Sequence, residues 1–246
     1  MMKAMLYAAG LGTRLKPLTD RMPKALVPVG GRPLLDITLE RLRKAGVTDV
    51  VINVHHFAES IVAHVRTHEY GLNIRISDES AQLLETGGGL RKAASLFPDN
   101  NCPILIHNVD ILSNADLNAF YTAHFADDAA LLVSSRKTKR YLLFDKNDRL
   151  AGWTNIETGE VRSPYPDLDV NTCRRYAFSG IHTFSPRLFH YMESFPEKFS
   201  IIDFYLSVCD KVCIKAHPDC NLQLLDVGKQ DTLQAAEQFA RDFLSM

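Results

Sequence analysis

The first thirty residues constrain this chain more than any other stretch. An apolar run at residues 6–9 predicts the end of a buried strand, and Gly10 and Gly12 follow at once. Glycine lets a loop turn sharply, so the backbone N–H groups of that loop can face outward. Arg14 and Lys24 add two fixed positive charges beside it. Exposed amides and nearby cations together favour a binding site for a polyphosphate.

Two familiar phosphate-binding motifs do not fit this loop. A dinucleotide-binding loop ends in Gly or Ala where this chain has Leu15, and Pro17 would disturb a helix that starts there. A P-loop needs Gly-Lys-Ser/Thr five residues after its first glycine, whereas counting from Gly10 gives Leu-Lys-Pro. Neither motif therefore describes this loop, and an ordinary glycine loop with surface cations is the alternative to a polyphosphate site.

Composition limits the cellular compartment and the partners that we expect for this chain. With 46% hydrophobic residues, 246 residues can bury a sizeable core. A formal charge of −1 argues against nucleic-acid binding, and no apolar run approaches the roughly 20 residues that span a bilayer. Five cysteines, an odd number, do not suggest a disulfide framework. We therefore expect a cytoplasmic protein with neither nucleic acid nor membrane as a partner.

Strand and helix signals alternate through the first half of the chain. The predicted strands include residues 3–8, 50–54, 74–77, 104–107 and 130–133, and helical patterns lie between them. One such helix opens at Pro33, and another begins at about Gly88 after three successive glycines. This alternation predicts an α/β fold, with a mostly parallel central sheet and helices on both faces.

The pattern changes in the middle of the chain. Short β segments at 141–144 and 150–153 are separated by Asn, Asp and Gly, which predicts hairpins. The parallel strand–helix pattern is expected to resume at 176–184 and to end in a helix over 233–243. We interpret residues 1–246 as one domain with a β-rich insertion at about 141–175.

The run from Ala8 to Leu34 resembles the signature of the sugar-1-phosphate nucleotidyltransferases. It contains Gly-x-Gly-Thr-Arg-Leu-x-Pro-Leu-Thr, then Pro-Lys-x-Leu-x-Pro-Val, then Pro-Leu. The resemblance implies a Rossmann-like three-layer sandwich, the nucleotide-diphospho-sugar transferase fold. It also implies an enzyme, monomeric or homodimeric, that transfers a nucleotidyl group from a nucleoside triphosphate to a sugar 1-phosphate.

The segment Leu-Glu-Thr-Gly-Gly-Gly at 84–89 is especially similar to family members that use UTP and N-acetylmuramate 1-phosphate. That similarity implies a role in cell-wall sugar recycling. GTP with mannose or heptose 1-phosphate is the alternative substrate pair. A second alternative is a non-catalytic sensor that binds a nucleotide sugar.

Nucleotide contacts are expected in two segments. Around the signature loop, the residues expected to bind nucleotide are Ala8, Ala9, Gly10, Gly12, Thr13, Arg14 and Lys24. The family resemblance implies that Gln82 and Gly87 lie near the base. Three successive glycines cost backbone entropy, which a closely approaching ligand would justify; a flexible turn before a helix is the other interpretation. Arg14 and Lys24, with Asp110, are the predicted catalytic residues.

Two acids are candidates for holding Mg²⁺. Asp110 follows the predicted strand 104–107, and Asp226 follows a strand-like stretch at 222–225. Two carboxylates with triphosphate oxygens and water suit an octahedral Mg²⁺ ion. Where the family has Asn-Gly-Asp and Asp-Val-Gly-Thr, this chain has Val109 and Lys229 in place of the glycine and the threonine. These departures leave the local backbone and charge open, and they are the best support for the sensor.

The sugar side is predicted from isolated residues. Gly180 lies in a segment that resembles the family's sugar-phosphate side, although a β-bulge would also explain it. Asp203 is expected to meet sugar hydroxyls or to cap the helix that follows it. Asn155 is a further candidate in the hairpin region.

Other histidines and cysteines are assigned no chemistry. Cys209, Cys213 and Cys220 lie near His217, but they lack the Cys-x-x-Cys spacing of zinc sites. His64 and His68 lie one helical turn apart, and we interpret them as the face of a surface helix in preference to a metal site.

Overall fold

The structure is a computed structural model that describes residues 1–229 and 232–243. A ten-stranded mixed sheet forms its centre. Its parallel part and its hairpins are joined by one long strand. The strands, including two small separate pairs, are β1 (Met2–Tyr7), β2 (Pro28–Val29), β3 (Arg32–Pro33), β4 (Val47–Val54), β5 (Asn73–Asp78), β6 (Ile104–Asn108), β7 (Ile111–Ser113), β8 (Ala129–Ser134), β9 (Arg140–Phe144), β10 (Leu150–Asn155), β11 (Val161–Arg162), β12 (Arg174–Phe184), β13 (Ile214–Pro218) and β14 (Leu224–Asp226).

Helices connect the parallel strands and cover the sheet. The α-helices are α1 (Leu34–Lys44), α2 (Ala58–Arg66), α3 (Glu85–Ala93), α4 (Leu117–Ala123), α5 (Ile201–Val208) and α6 (Leu233–Phe243). Short 3-10 segments lie at Thr13–Leu15, Leu18–Asp20, Lys24–Leu26, Ala94–Leu96 and Pro186–Met192. Within the described residues, every helix is too short or too polar to cross a lipid bilayer.

The sheet has a parallel centre and antiparallel additions. β5, β4, β1 and β6 are neighbours in that order and run parallel, and β13 lies parallel to β8. This confirms the predicted α/β class with a large, mostly parallel central sheet. β12 is antiparallel to β6, β8 and β9, so the expectation of a parallel strand at 176–184 is wrong. The chain reaches β12 through hairpins, which need no crossover helix.

Alternating side chains of each strand build two cores, one on each face of the sheet. Along β1, Ala4 and Leu6 belong to one core, while Met5 and Tyr7 belong to the other. The first core packs against α1, α4 and α6, and the second against α3 and α5. The central strands are therefore held from both sides, which fixes the loops at their carboxyl ends.

Candidate active site

A cleft of about 560 Å³ opens where β1, β4 and β6 end. Ligands of open α/β sheets bind at this carboxyl edge. The lining residues are Tyr7, Ala8, Ala9, Gly10, Leu11, Gly12, Thr13, Arg14, Lys24, Asn53, Leu83, Glu85, Thr86, Asn108, Val109, Asp110, Ser200 and Gly228. The cleft therefore brings together all the predicted residues of the signature loop and Asp110.

The glycine loop presents unused amides to this cleft. In the described part of the chain, the backbone N–H groups of residues 9–12 have no acceptor. Gly12 adopts a left-handed φ of 64°, and a Cβ there would lie 2.8 Å from the Thr19 methyl group. Only glycine fits such a turn without strain. The Ala8 N–H is different, because it already donates to Asn53 Oδ1 at 2.9 Å. Four free amides remain for an anion.

Lys24 lies within the cleft and forms an ion pair with Asp110. It begins the 3-10 segment Lys24–Leu26, after Pro23, which holds the backbone extended at the entry to that segment. The side chains of Lys24 and Asp110 are 11% and 19% exposed, so water screens their charges little. The pair is thus a partly buried cation and anion directly beside the phosphate loop.

Asp226 reaches Asp110 through a short strand pair that joins distant parts of the chain. β14 runs antiparallel to β7, with Asp226 opposite Ile111. The Val227 N–H then donates to the Asp110 carbonyl at 2.9 Å. Arg14 approaches the Asp226 carboxylate at 3.8 Å. The sequence places these acids 116 residues apart, and this pairing sets them side by side.

The negative charge of Asp110 affects the pKa of Asp226. The pKa of Asp226 is raised, first by partial burial and then by the negative charge of Asp110. Lys24 and Arg14 oppose this rise with their positive charges. Paired carboxylates beside free amides fit a divalent cation, because Mg²⁺ takes one or two carboxylates and fills its other positions with phosphate oxygens and water. Asp110 and Asp226 are the residues that would hold it.

The glycine run at residues 87–89 has a packing explanation. A Cβ on Gly87 would lie 2.3 Å from the Phe199 ring, and one on Gly88 would lie 2.3 Å from the Glu197 carbonyl oxygen. The Gly87 N–H donates to the Phe199 carbonyl at 2.9 Å. These glycines open α3, which begins at Glu85 and so three residues before the predicted start. They let the helix pack closely against the segment before α5.

The two residues predicted near the base lie beside the cleft. Gln82 is exposed and its N–H donates to the Glu79 carbonyl at 3.0 Å, while Gly87 is buried. In the described structure neither residue lines the cleft, whereas Leu83 and Thr86 between them do. The segment therefore borders the cleft through neighbouring residues.

The predicted sugar-side residues are spread over three elements. Gly180 has a φ of 80° in a bulge of β12, and a Cβ there would lie 2.8 Å from Asn108 Nδ2 at the cleft. Asp203 pairs with Arg162 at 2.6 Å; Ser200, not Asp203, caps α5. Asn155 ends β10. In the described structure, none of the three predicted residues lines the cleft.

A buried polar network behind the signature loop was not predicted from the sequence. Asn53, only 2% exposed, accepts from the Ala8 N–H and donates from Nδ2 to Glu79 Oε1 at 2.7 Å. The Tyr7 hydroxyl donates to the Thr86 carbonyl at 2.5 Å. Asn53 interrupts the apolar strand pattern of residues 50–54, and a polar residue in such a run was the available signal.

Comparison with known proteins gives this site a family context. A family model described as nucleotidyl transferase matches residues 3–242. The chain is 33% identical over 195 residues to N-acetylmuramate alpha-1-phosphate uridylyltransferase from Neisseria meningitidis, which covers 78% of this chain and 79% of that protein. It is 50% identical over 110 residues to the protein of that name from Caulobacter vibrioides, with 44% of this chain and 45% of that one covered.

Another relative is named for a different substrate. Mannose-1-phosphate guanyltransferase from Schizosaccharomyces pombe is 35% identical over 145 residues, covering 57% of this chain and 40% of that protein. The matches to the Caulobacter and Schizosaccharomyces proteins thus span less than half of those relatives' own lengths.

Solved structures share the fold over nearly the whole chain. HddC from Yersinia pseudotuberculosis, complexed with GMP-PN, has a TM-score of 0.75 at 20% identity, covering 97% of this chain and 99% of that one. UDP-glucose pyrophosphorylase from Acinetobacter baumanii has a TM-score of 0.77 at 16% identity, covering 98% and 93%. These identities show the fold alone. Because the family model spans almost all of the sequence, the chain belongs to the nucleotidyl transferase family.

Proposed function

We propose that this protein transfers a nucleotidyl group from a nucleoside triphosphate to a sugar 1-phosphate, giving a nucleotide sugar and pyrophosphate. One observation carries the proposal. The cleft combines the free amides of residues 9–12 with Lys24, Arg14 and Asp110, and Asp226 lies beside the cleft, next to Arg14 and Asp110. Such a set of groups suits a triphosphate with its metal ion.

The chemistry needs little covalent help from the protein. A nonbridging oxygen of the sugar phosphate attacks the α-phosphorus, the bond from that phosphorus to the α–β bridging oxygen breaks, and pyrophosphate leaves with the electron pair. No proton has to move, because the attacking phosphate is already ionised near neutral pH. The amides of residues 9–12 orient the triphosphate, and Lys24 and Arg14 stabilise the negative charge shared in the transition state. Asp110 and Asp226 would hold Mg²⁺, which would supply Lewis-acid polarisation of the phosphate oxygens when bound.

For the substrates, we propose UTP and N-acetylmuramate 1-phosphate. The match to the Neisseria uridylyltransferase, which extends over most of both chains, supports this choice. GTP with mannose or heptose 1-phosphate is the competing pair, supported by the match to a guanyltransferase. We place Gln82 and Gly87 on the base side, through their cleft-lining neighbours Leu83 and Thr86.

The remaining assignments concern the sugar side of the site, the cellular compartment and the oligomeric state. We propose that the strands of residues 141–175, with Asn155, Gly180 and Asp203, face the sugar phosphate when both substrates are bound. The five free cysteines fit a reducing compartment, so we propose that the protein acts in the cytoplasm, in cell-wall recycling, as a monomer or homodimer.

A pyrophosphate-release assay tests the function. The protein is incubated with UTP, GTP, CTP or dTTP against N-acetylmuramate, mannose and glucose 1-phosphates, with Mg²⁺ or with a chelator. We expect fastest release with UTP and N-acetylmuramate 1-phosphate, and loss of release in chelator. Tight nucleotide binding without pyrophosphate release across the whole panel would contradict the enzyme proposal and support a non-catalytic sensor that binds a nucleotide sugar.

A matched pair of variants separates the cleft from the rest of the surface. Asp226→Asn removes one of the paired carboxylates and should abolish release. Asp242→Asn removes an exposed carboxylate on α6 that accepts a hydrogen bond from Gln238 Nε2 at 2.8 Å, and the asparagine oxygen can accept the same bond. Equal loss of activity in both variants would contradict the assignment of Asp226.

A further inference from the structure

Three potential metal ligands meet on the outer side of the fold. Asp36 of α1 and His64 and His68, at the end of α2, each offer a ligand atom, and these atoms lie within 4.8 Å of one another. Among the residues that the structure describes, this is the one group of three with that spacing. None of the three lines the cleft. The group is therefore separate from the site described above.

The hydrogen bonds of His68 leave a nitrogen available. Its Nδ1 lies 2.8 Å from the His64 carbonyl oxygen, which can only accept a hydrogen bond. Nδ1 must therefore carry the proton, and Nε2 keeps its lone pair when the ring is neutral. Metal-binding histidines are commonly fixed by this kind of bond from the second ring nitrogen to a carbonyl. His68 is exposed, so an ion can reach it from solvent.

Asp36 is fixed in a similar way. Its Oδ1 accepts from the Tyr70 hydroxyl at 2.7 Å and lies 2.7 Å from His64 Nε2. Asp36 and His64 are 17% and 18% exposed, which places both between the two helices with little freedom to move.

We propose that Asp36, His64 and His68 form a binding site for Zn²⁺ or a similar borderline transition-metal ion, with water as the fourth ligand. Two imidazoles and one carboxylate suit Zn²⁺, whereas Mg²⁺ prefers oxygen ligands throughout. The ligand atoms lie within 4.8 Å of one another, and the His64 and His68 ring centroids are 4.2 Å apart at an interplanar angle of 30°. Binding would draw these atoms to the spacing of about 3.3 Å expected in a tetrahedral site. A bound ion would link α1 to α2.

This changes the interpretation of the histidine spacing. The sequence offers His64 and His68 alone, and two histidines on a helix make an incomplete site. Asp36 lies 28 residues before His64, on another helix, and only the fold adds it. The third ligand and its Tyr70 hydrogen bond turn a surface helix face into a candidate metal centre.

Cobalt provides a visible probe for the site. Full-length protein stripped with a chelator is titrated with Co²⁺ in the presence of excess Mg²⁺, which occupies the carboxylate pair in the cleft. We expect one Co²⁺ per chain with the strong d–d absorption of a tetrahedral site, and its displacement by Zn²⁺. Zn²⁺ at about 100 times its Kd should raise the Tm by about 5–10 °C.

Variants locate the ion. His68→Gln should weaken Co²⁺ binding by about 100-fold and Tyr70→Phe by about 10-fold. His56→Gln, at another exposed histidine, should change nothing, and neither should Asp226→Asn. Circular dichroism confirms that each variant is folded. Unchanged Co²⁺ binding in His68→Gln, loss of binding in Asp226→Asn, or a thiolate-to-cobalt charge-transfer band would each overturn the proposal.

Discussion

Asn53 provides the sharpest test of how the phosphate loop is held. Its side chain is 2% exposed and bridges the Ala8 N–H at 2.9 Å to the Glu79 carboxylate at 2.7 Å. Ala8 leads directly into the loop whose amides are free. Replacing Asn53 with alanine removes both bonds and leaves a buried donor and a buried carboxylate oxygen without a partner.

The expected cost follows from these two unpaired groups. Each buried group without a partner costs about 1–3 kcal/mol, and water from the cleft can reach part of this space. We therefore expect Asn53→Ala to lower the free energy of unfolding by about 2–4 kcal/mol. A loop released from its Ala8 anchor should also lower kcat/KM for the triphosphate by about 10- to 100-fold.

Urea unfolding and steady-state pyrophosphate release measure the two effects. Asn118→Ala is the control, because the Asn118 amide donates to the Ala45 carbonyl at 2.9 Å away from the cleft. It should cost about 1 kcal/mol and leave the kinetics unchanged. Asn53→Asp keeps the size but sets a second carboxylate against Glu79, so it should not rescue stability. Wild-type stability and kinetics in Asn53→Ala would refute the role given to this network.

Three further predictions concern the cation, the close packing and the buried histidines. Lys24→Ala should lower kcat by about 10²- to 10³-fold in the release assay. Gly87→Ala should lower the free energy of unfolding by about 1–3 kcal/mol, while Gly10→Ala, whose Cβ would meet nothing within 4 Å, should be near neutral in urea. Burial lowers the pKa of His107 and His182 to about 3 from 6.5, so unfolding takes up protons. Stability should fall below pH 6.5 by up to about 2.7 kcal/mol per pH unit, and His107→Gln should halve that slope.

Local pattern was enough to predict the parallel half of the fold. β-branched and apolar runs marked the strands, and the glycine-rich signature marked the loop between β1 and the first 3-10 segment. These features depend on near neighbours in the chain. β7 has only three residues, which is too short for a periodic signal, yet its pairing with β14 brings Asp226 to Asp110.

The glycine run at residues 87–89 shows what local sequence cannot predict, because its neighbours come from other parts of the chain. Its cost in backbone entropy predicted a closely approaching ligand, with a flexible turn before a helix as the other interpretation. In the structure the protein itself crowds these glycines: Phe199 and Glu197, more than a hundred residues further along, lie against Gly87 and Gly88, and the Glu79 carboxylate lies against Gly89. A rare residue type can therefore indicate crowding without identifying the neighbour.

Backbone hydrogen bonds explain why Val109, a departure from the family pattern, is compatible with the arrangement of the two acids. Val109 is 4% exposed in the core, and its N–H donates to the Tyr7 carbonyl at 3.1 Å, an extension of the β1–β6 ladder. Its φ is not left-handed, so nothing in its conformation requires glycine. The position of Asp110 is set by that bond and by the Val227 N–H, both of which are backbone groups. Because backbone bonds fix both acids, a Val109→Gly variant should keep Asp110 in place and retain pyrophosphate release; a large gain in release would show that Val109 impairs the native site.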